Sequence, residues 1–93
     1  MGKYKVTISE KARKHLQAIE KAGDKASLKK IEQIFFELEI HPESGTGKPE
    51  KLKFDLSGLW SRRINKKDRL VYSIENKIVT VTVVSILTHY GDK

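Results

Sequence analysis

Gly47-Lys-Pro-Glu-Lys-Leu-Lys-Phe-Asp-Leu-Ser-Gly-Leu-Trp-Ser-Arg-Arg-Ile-Asn-Lys-Lys-Asp-Arg-Leu-Val-Tyr72 reads as short strands separated by turn residues. Leu52, Phe54 and Leu56 alternate with Lys51, Lys53 and Asp55, the period-two pattern of a half-buried strand. Ser57-Gly58 makes a turn, and Leu59 to Asn65 is the next strand, in which Trp60, Arg62 and Ile64 recur at every second position. Lys66-Lys67-Asp68 turns the chain into Arg69 to Glu75, where Leu70, Tyr72 and Ile74 share one face. Set among these strands are the carboxylate Glu50, the arginines Arg63 and Arg69, and the further cations Lys48, Lys51, Lys53, Arg62, Lys66 and Lys67.

Upstream of this run, His41 to Pro49 holds two prolines, two glycines and no large apolar side chain, which predicts an exposed loop. Before it, Leu28, Ile31, Phe35 and Leu38 repeat three and four apart, widened by Ile34, and Asp24 or Ser27 can cap the helix they define. An earlier helix carries Ala12, Leu16 and Ile19, with Ser9 as N-cap, Glu10 in the first turn and Gly23 as its stop. Tyr4, Val6 and Ile8 alternate with Lys3, Lys5 and Thr7 as an opening strand. Downstream, Glu75-Asn76-Lys77 turns into a final strand from Ile78 to about Leu87. There Val79, Val81 and Val83 fall on one parity, Val84 and Ile86 on the other. Either both faces are covered or a bulge shifts the register. The sum is one α+β domain over residues 1–93: an N-terminal strand, a two-helix hairpin, then a four-strand antiparallel meander. The first strand lies at an edge of that sheet or beside one of its strands; pattern alone leaves the strand order open.

Nineteen Lys+Arg against twelve Asp+Glu give a net charge of +7, a strong positive field for a small domain. Nucleic acid is the leading partner class, an acidic protein the second, and a lysine-rich soluble surface accounts for the same charge without either. The chain has no cysteine, which removes disulfides, thiolate metal sites and cysteine nucleophiles. Its apolar stretches fall short of the ~20 residues a bilayer span needs, and the first residues lack an apolar signal core. A soluble cytoplasmic protein is the expectation. Histidines and acids are not spaced as metal ligands, and Gly45-x-Gly47-Lys48 is too short for a phosphate-binding loop of the Walker type.

RNA cleavage without a metal needs a base for the ribose 2′-hydroxyl, cations for the charged phosphate and an acid for the leaving 5′-oxygen. Glu50 stands where the Gly/Pro loop enters a strand, and neighbouring lysines favour its ionised form. The plainer reading of Glu50 is a surface carboxylate in a screened ion pair with Lys48 or Lys53. Arg63 and Arg69 flank one turn and face the same side only if odd-numbered residues pair with odd-numbered ones, as a three-residue loop allows. If they do, two guanidiniums can grip a phosphate; otherwise they solvate a sheet face. His89 follows the last strand, next to Tyr90, and is the acid candidate. His15 and His41 read as exposed, Trp60 as core, and Gly23 and Gly58 as turn residues.

Gly47-Lys48-Pro49-Glu50, Leu52-Lys53, Asp55-Leu56-Ser57-Gly58, Trp60-Ser61-Arg62-Arg63-Ile64, Arg69-Leu70-Val71-Tyr72 and the late His89-Tyr90 resemble the YoeB/Txe toxins of the RelE-like toxin–antitoxin superfamily. The match is dense over residues 45–74 plus the His-Tyr pair; the first half agrees in its strand–helix–helix layout and in His41-Pro42. The resemblance implies a RelE-like, microbial-ribonuclease-like fold and an endoribonuclease that cuts mRNA in the ribosomal A site without a cofactor or metal. Glu50 then stands at the general-base position and His89 at the general-acid position. Arg69 matches the arginine on the scissile phosphate and Tyr90 the aromatic that orients the site. Lys53 and Arg63 match RNA-binding positions. The resemblance also implies a cognate antitoxin of the YefM/Axe kind, mRNA on the ribosome, and a homodimer as one assembly. Two departures stand out: Gly91-Asp92-Lys93 follow the His-Tyr pair, and Glu10-Lys11-Ala12-Arg13 replaces an aromatic, acidic helix start. A basic RNA- or ribosome-binding inhibitor that does not cut is the alternative.

Overall fold

The computed structural model describes residues 4–53, 58–66 and 68–88, and of Leu87 and Thr88 the backbone alone. Its elements run β1 (Lys5–Ile8), α1 (Glu10–Ala22), α2 (Lys25–Ile40), β2 (Glu50–Lys51), β3 (Leu59–Arg63), β4 (Arg69–Glu75) and β5 (Thr80–Thr88). The sheet order is β1-β5-β4-β3-β2. The four later strands form the expected antiparallel meander, and β1 closes the far edge by pairing parallel to β5. The α+β class holds.

Local chemistry sets the helix ends. The Ser9 hydroxyl accepts from Ala12 N–H at 3.0 Å, and Gly23 in the left-handed region (φ 71°) stops α1. Asp24 rather than Ser27 caps α2, accepting from Ser27 N–H at 3.1 Å. The apolar stripes face the sheet: Ala12, Ile19, Ile31, Ile34 and Leu38 are buried against Ile64, Leu70, Tyr72, Val81, Val83 and Ile86. Each fully buried large aliphatic among them contributes roughly 1.5–3 kcal/mol of transfer free energy. Tyr4, Val6, Ile8 and Trp60 pack against the same core, as their alternation predicts.

Three boundaries differ from expectation. β2 begins at Glu50 and its ladder is described only to Lys51, with one further bond from Leu52 N–H to Leu59 C=O at 2.9 Å. The rest of the expected strand, Phe54 to Leu56, lies outside the described residues, as does Ser57. β3 ends at Arg63 rather than Asn65, because Ile64 N–H already turns to Asp68 C=O at 3.0 Å and closes the hairpin loop. The β4–β5 turn consumes Ile78 and Val79, which were expected in the strand. Val79 N–H bonds Asn76 C=O, and Val79 is left-handed (φ 48°) and exposed.

The parity change in the last strand is a bulge. Tyr72 pairs with Val83, but Val71 pairs with Ser85 and Arg69 with Thr88. One extra residue on β5 therefore separates each of these rungs. The slip carries Ile86 into the core that Val81 and Val83 already share.

Candidate active site

The face of the sheet away from the helices carries the residues of interest. Glu50 pairs directly with Ser61, and Arg63, two residues on, pairs directly with Arg69. Odd-numbered residues thus meet odd-numbered ones, the condition for Arg63 and Arg69 to face the same side, with Glu50 diagonal to Arg63 across the β2–β3 ladder. Directly opposed side chains start ~5 Å apart at Cβ and diagonal ones ~7–8 Å, within reach of long side chains. Arg63 is exposed, Arg69 half-buried and Glu50 exposed. Ser61, Val71 and Ser85, on the same face, are buried beneath them. Two guanidiniums side by side on one face can grip an anion such as a phosphate.

Lys53 is exposed beyond β2. His89 and Tyr90, the expected acid and orienting residue, lie outside the described residues, as do the Gly91-Asp92-Lys93 tail, Lys3 and Lys67. The backbone of Thr88, which precedes His89, pairs with Arg69. Among the described residues no group of three His, Asp or Glu side chains gathers as metal ligands would.

Arg62 does not belong to the cationic surface where its charge alone would put it. It shares the parity of Trp60 and Ile64, points toward the helices and is fully buried. Its guanidinium spends all five N–H donors. Nε donates to the Tyr72 hydroxyl at 3.1 Å. Nη1 donates to Glu37 Oε1 at 2.6 Å and to Thr46 C=O at 3.2 Å. Nη2 donates to the carbonyls of His41 at 3.1 Å and Ser44 at 2.8 Å. Glu37 completes the knot by accepting from Thr46 N–H and Thr46 hydroxyl, each at 2.7 Å, and from Gln33 at 2.9 Å. Burial alone would raise the Glu37 carboxyl, but hydrogen bonds from Gln33, Thr46 and Arg62 outweigh it and hold it down to about 2. Burial pushes the Tyr72 phenol up, against the pull of Arg62, and its hydroxyl donates to Pro42 C=O at 2.7 Å.

The loop from His41 to Pro49 is therefore a tied scaffold rather than a free surface segment. It lacks apolar anchors, so its carbonyls are held by one buried cation instead, and Pro42 is buried with them. Gly45 has φ 119°, and a Cβ there would clash with Glu37 Oε1. Gly47 has φ 84°, its carbonyl accepts from Arg63 N–H at 2.7 Å, and a Cβ would meet Arg63 O at 2.8 Å. These contacts deliver the chain to Glu50, three residues further on. The signal for Arg62 was present in sequence: it is the one charged residue on the apolar parity of β3.

His41 is exposed as expected, but His15 is not a plain surface residue. It sits three residues after Ala12 and four before Ile19, at the margin of the buried stripe. Its Nδ1 accepts from Ile86 N–H at 3.1 Å. Burial, helped by the Lys11 charge, pushes its imidazole below the ordinary range and favours the neutral acceptor.

Comparison with known proteins agrees with this architecture. A family model described as the YoeB-like toxin of bacterial type II toxin-antitoxin system matches residues 9–90. The YoeB toxin of Synechocystis sp. is 45% identical over 68 residues, 73% of this chain and 77% of that protein. The structure of the YoeB dimer from Staphylococcus aureus superposes with TM-score 0.81 at 34% identity, covering 95% of this chain and 99% of that one. The YoeB-YefM complex from the same organism gives TM-score 0.78 at 33% identity, over 94% and 98% of the two chains. The chain belongs to the YoeB-like toxins of bacterial type II toxin-antitoxin systems.

Proposed function

We propose that this toxin is a ribosome-dependent endoribonuclease that inhibits translation by cutting mRNA in the ribosomal A site. The observation that carries the reading is the directly opposed Arg63–Arg69 pair with Glu50 diagonal to it on one sheet face. Glu50 takes the proton of a ribose 2′-hydroxyl, and the freed oxygen attacks the adjacent phosphorus. Arg69, with Arg63 beside it, compensates the charge that builds on the phosphoryl oxygens. The bond to the 5′-oxygen breaks as His89 donates its proton to that oxygen, with Tyr90 orienting the site. The products are a 2′,3′-cyclic phosphate, open to hydrolysis to a 3′-phosphate, and a 5′-hydroxyl. Arg63 and Lys53 hold neighbouring phosphates, and the cytoplasm, where ribosomes are, is the site of action.

A cognate antitoxin of the YefM/Axe kind is the proposed regulatory partner, as YefM is for the Staphylococcus aureus relative. Self-association is proposed on the strength of that relative's dimer. The test of the cutting mechanism is the pair of variants Glu50→Ala/His89→Ala and Arg63→Gln/Arg69→Gln, compared for growth arrest and for mapped mRNA ends. Loss of cutting in both supports acid–base cleavage. Arrest that survives the first pair but not the second identifies a non-cleaving, arginine-dependent inhibitor instead.

A further inference from the structure

The bulged end of β5 is held by α1 as well as by its sheet neighbour. The first register slip leaves Val84 between the rungs Val83–Tyr72 and Ser85–Val71. Ser9, the N-cap of α1, donates its hydroxyl to Val84 C=O at 2.7 Å, and its backbone N–H bonds Val83 C=O at 2.9 Å. The second slip sets Ile86 and Leu87 against Leu70 alone, between the rungs at Ser85 and Thr88. A bulge of this kind takes backbone groups out of the ladder, and buried ones must find partners elsewhere. The Ile86 side chain is fully buried, and its N–H is received by the His15 ring.

We propose that His15 is a positioning residue for the end of β5, fixing through Ile86 the strand that leads three residues later to His89. The catalytic part of this inference rests on the acid role proposed for His89. His15 acts through Ile86, whose N–H its Nδ1 accepts at 3.1 Å. Asparagine can place an oxygen near the position of Nδ1, phenylalanine keeps the ring and deletes the acceptor, and leucine deletes both at a similar volume.

The experiment compares the full chain with His15→Phe, His15→Leu and His15→Asn variants, after circular dichroism has shown which are folded. Amide hydrogen exchange is read at Ile86, and multiple-turnover cleavage of ribosome-bound mRNA is read as kcat and KM. In His15→Phe, Ile86 exchange is expected to accelerate ~5-fold or more, the weight of one lost hydrogen bond. Its kcat is expected to fall roughly 10- to 100-fold, as a misplaced catalytic group does, with KM unchanged. His15→Asn should recover most of both. His15→Leu serves in place of His15→Phe if the latter does not fold. Unchanged Ile86 exchange in the acceptor-deleted variant overturns the inference at its root. Faster exchange with unchanged kcat overturns the link to catalysis. If the wild-type chain makes no cut, the nuclease reading falls, and the exchange comparison still decides whether His15 holds the strand.

Discussion

Arg62→Met removes a buried cation whose five donors are all engaged, and the expected damage can be worked from its partners. Methionine fills much of the volume, so the cavity contribution is small. What remains is the Glu37 carboxylate without its ion pair, the Thr46 carbonyl without this donor, the His41 and Ser44 carbonyls each with one bond fewer, and the Tyr72 hydroxyl without one of its two bonds. Removing one partner of a buried pair typically costs ~3–5 kcal/mol. A domain of this length has ~5–14 kcal/mol in total, so the variant should lose about a fifth of its stability or more. Urea unfolding followed by the fluorescence of Trp60, the only tryptophan, reads this directly. With a slope of ~1–3 kcal/mol/M, the midpoint should drop by about 2 M. The double variant Arg62→Met/Glu37→Met should lie well above the sum of the single effects, with a coupling of ~2 kcal/mol, because neither charge is then left alone. An Arg62→Met loss below ~1 kcal/mol, or a double variant that is simply additive, would falsify the view that this pair ties down the loop.

The same carboxyl sets an acid limit. Its folded value of about 2 lies below the ordinary 4.5, so its contribution is complete above about 4.5 and is lost as pH falls toward 2. Urea midpoints measured from pH 6 to pH 2.5 should decline across that window, and Glu37→Gln should flatten the decline. Gly47→Ala should cost more than Gly58→Ala, since both glycines have positive φ (84° and 96°) but, among the described residues, a Cβ would meet backbone at Gly47 and nothing at Gly58. The φ penalty common to both is ~1–2 kcal/mol, and thermal melts of the two variants give the difference. Arg63→Gln should weaken binding to single-stranded RNA and lower the slope of log K against log salt by about 0.7; an unchanged slope removes Arg63 from the phosphate contacts.

The fold was legible wherever side-chain period and turn chemistry agree. Ser9, Gly23 and the stripes of α1 and α2 are local signals with local causes, and each stands where its pattern points. The parallel placement of β1 beside β5 depends on a long crossover through both helices, which no local pattern encodes. For Arg63 and Arg69 the sequence shows parity but leaves their shared face conditional on the hairpin register, which the Arg63–Arg69 rung meets. Arg62 was misjudged because its charge was weighed without its parity; a charged residue between Trp60 and Ile64 has to find buried partners, and Glu37 lies 25 positions away. His15 escaped for a related reason. Its partner is a backbone N–H 71 residues downstream, exposed only by a bulge whose side-chain consequence, the Val83–Val84 parity change, was visible while its hydrogen-bond consequence was not.

The central claim is that Glu50 acts as a base beside paired arginines. Single-turnover cleavage of ribosome-bound mRNA, with wild-type toxin against Glu50→Gln and with product ends mapped, tests it most directly. The expected result is 5′-hydroxyl and 2′,3′-cyclic or 3′-phosphate ends from the wild type. The rate for Glu50→Gln should be ~10²–10⁴-fold lower, with ribosome affinity unchanged. Equal rates for the two proteins, or arrested translation with intact mRNA, would contradict it.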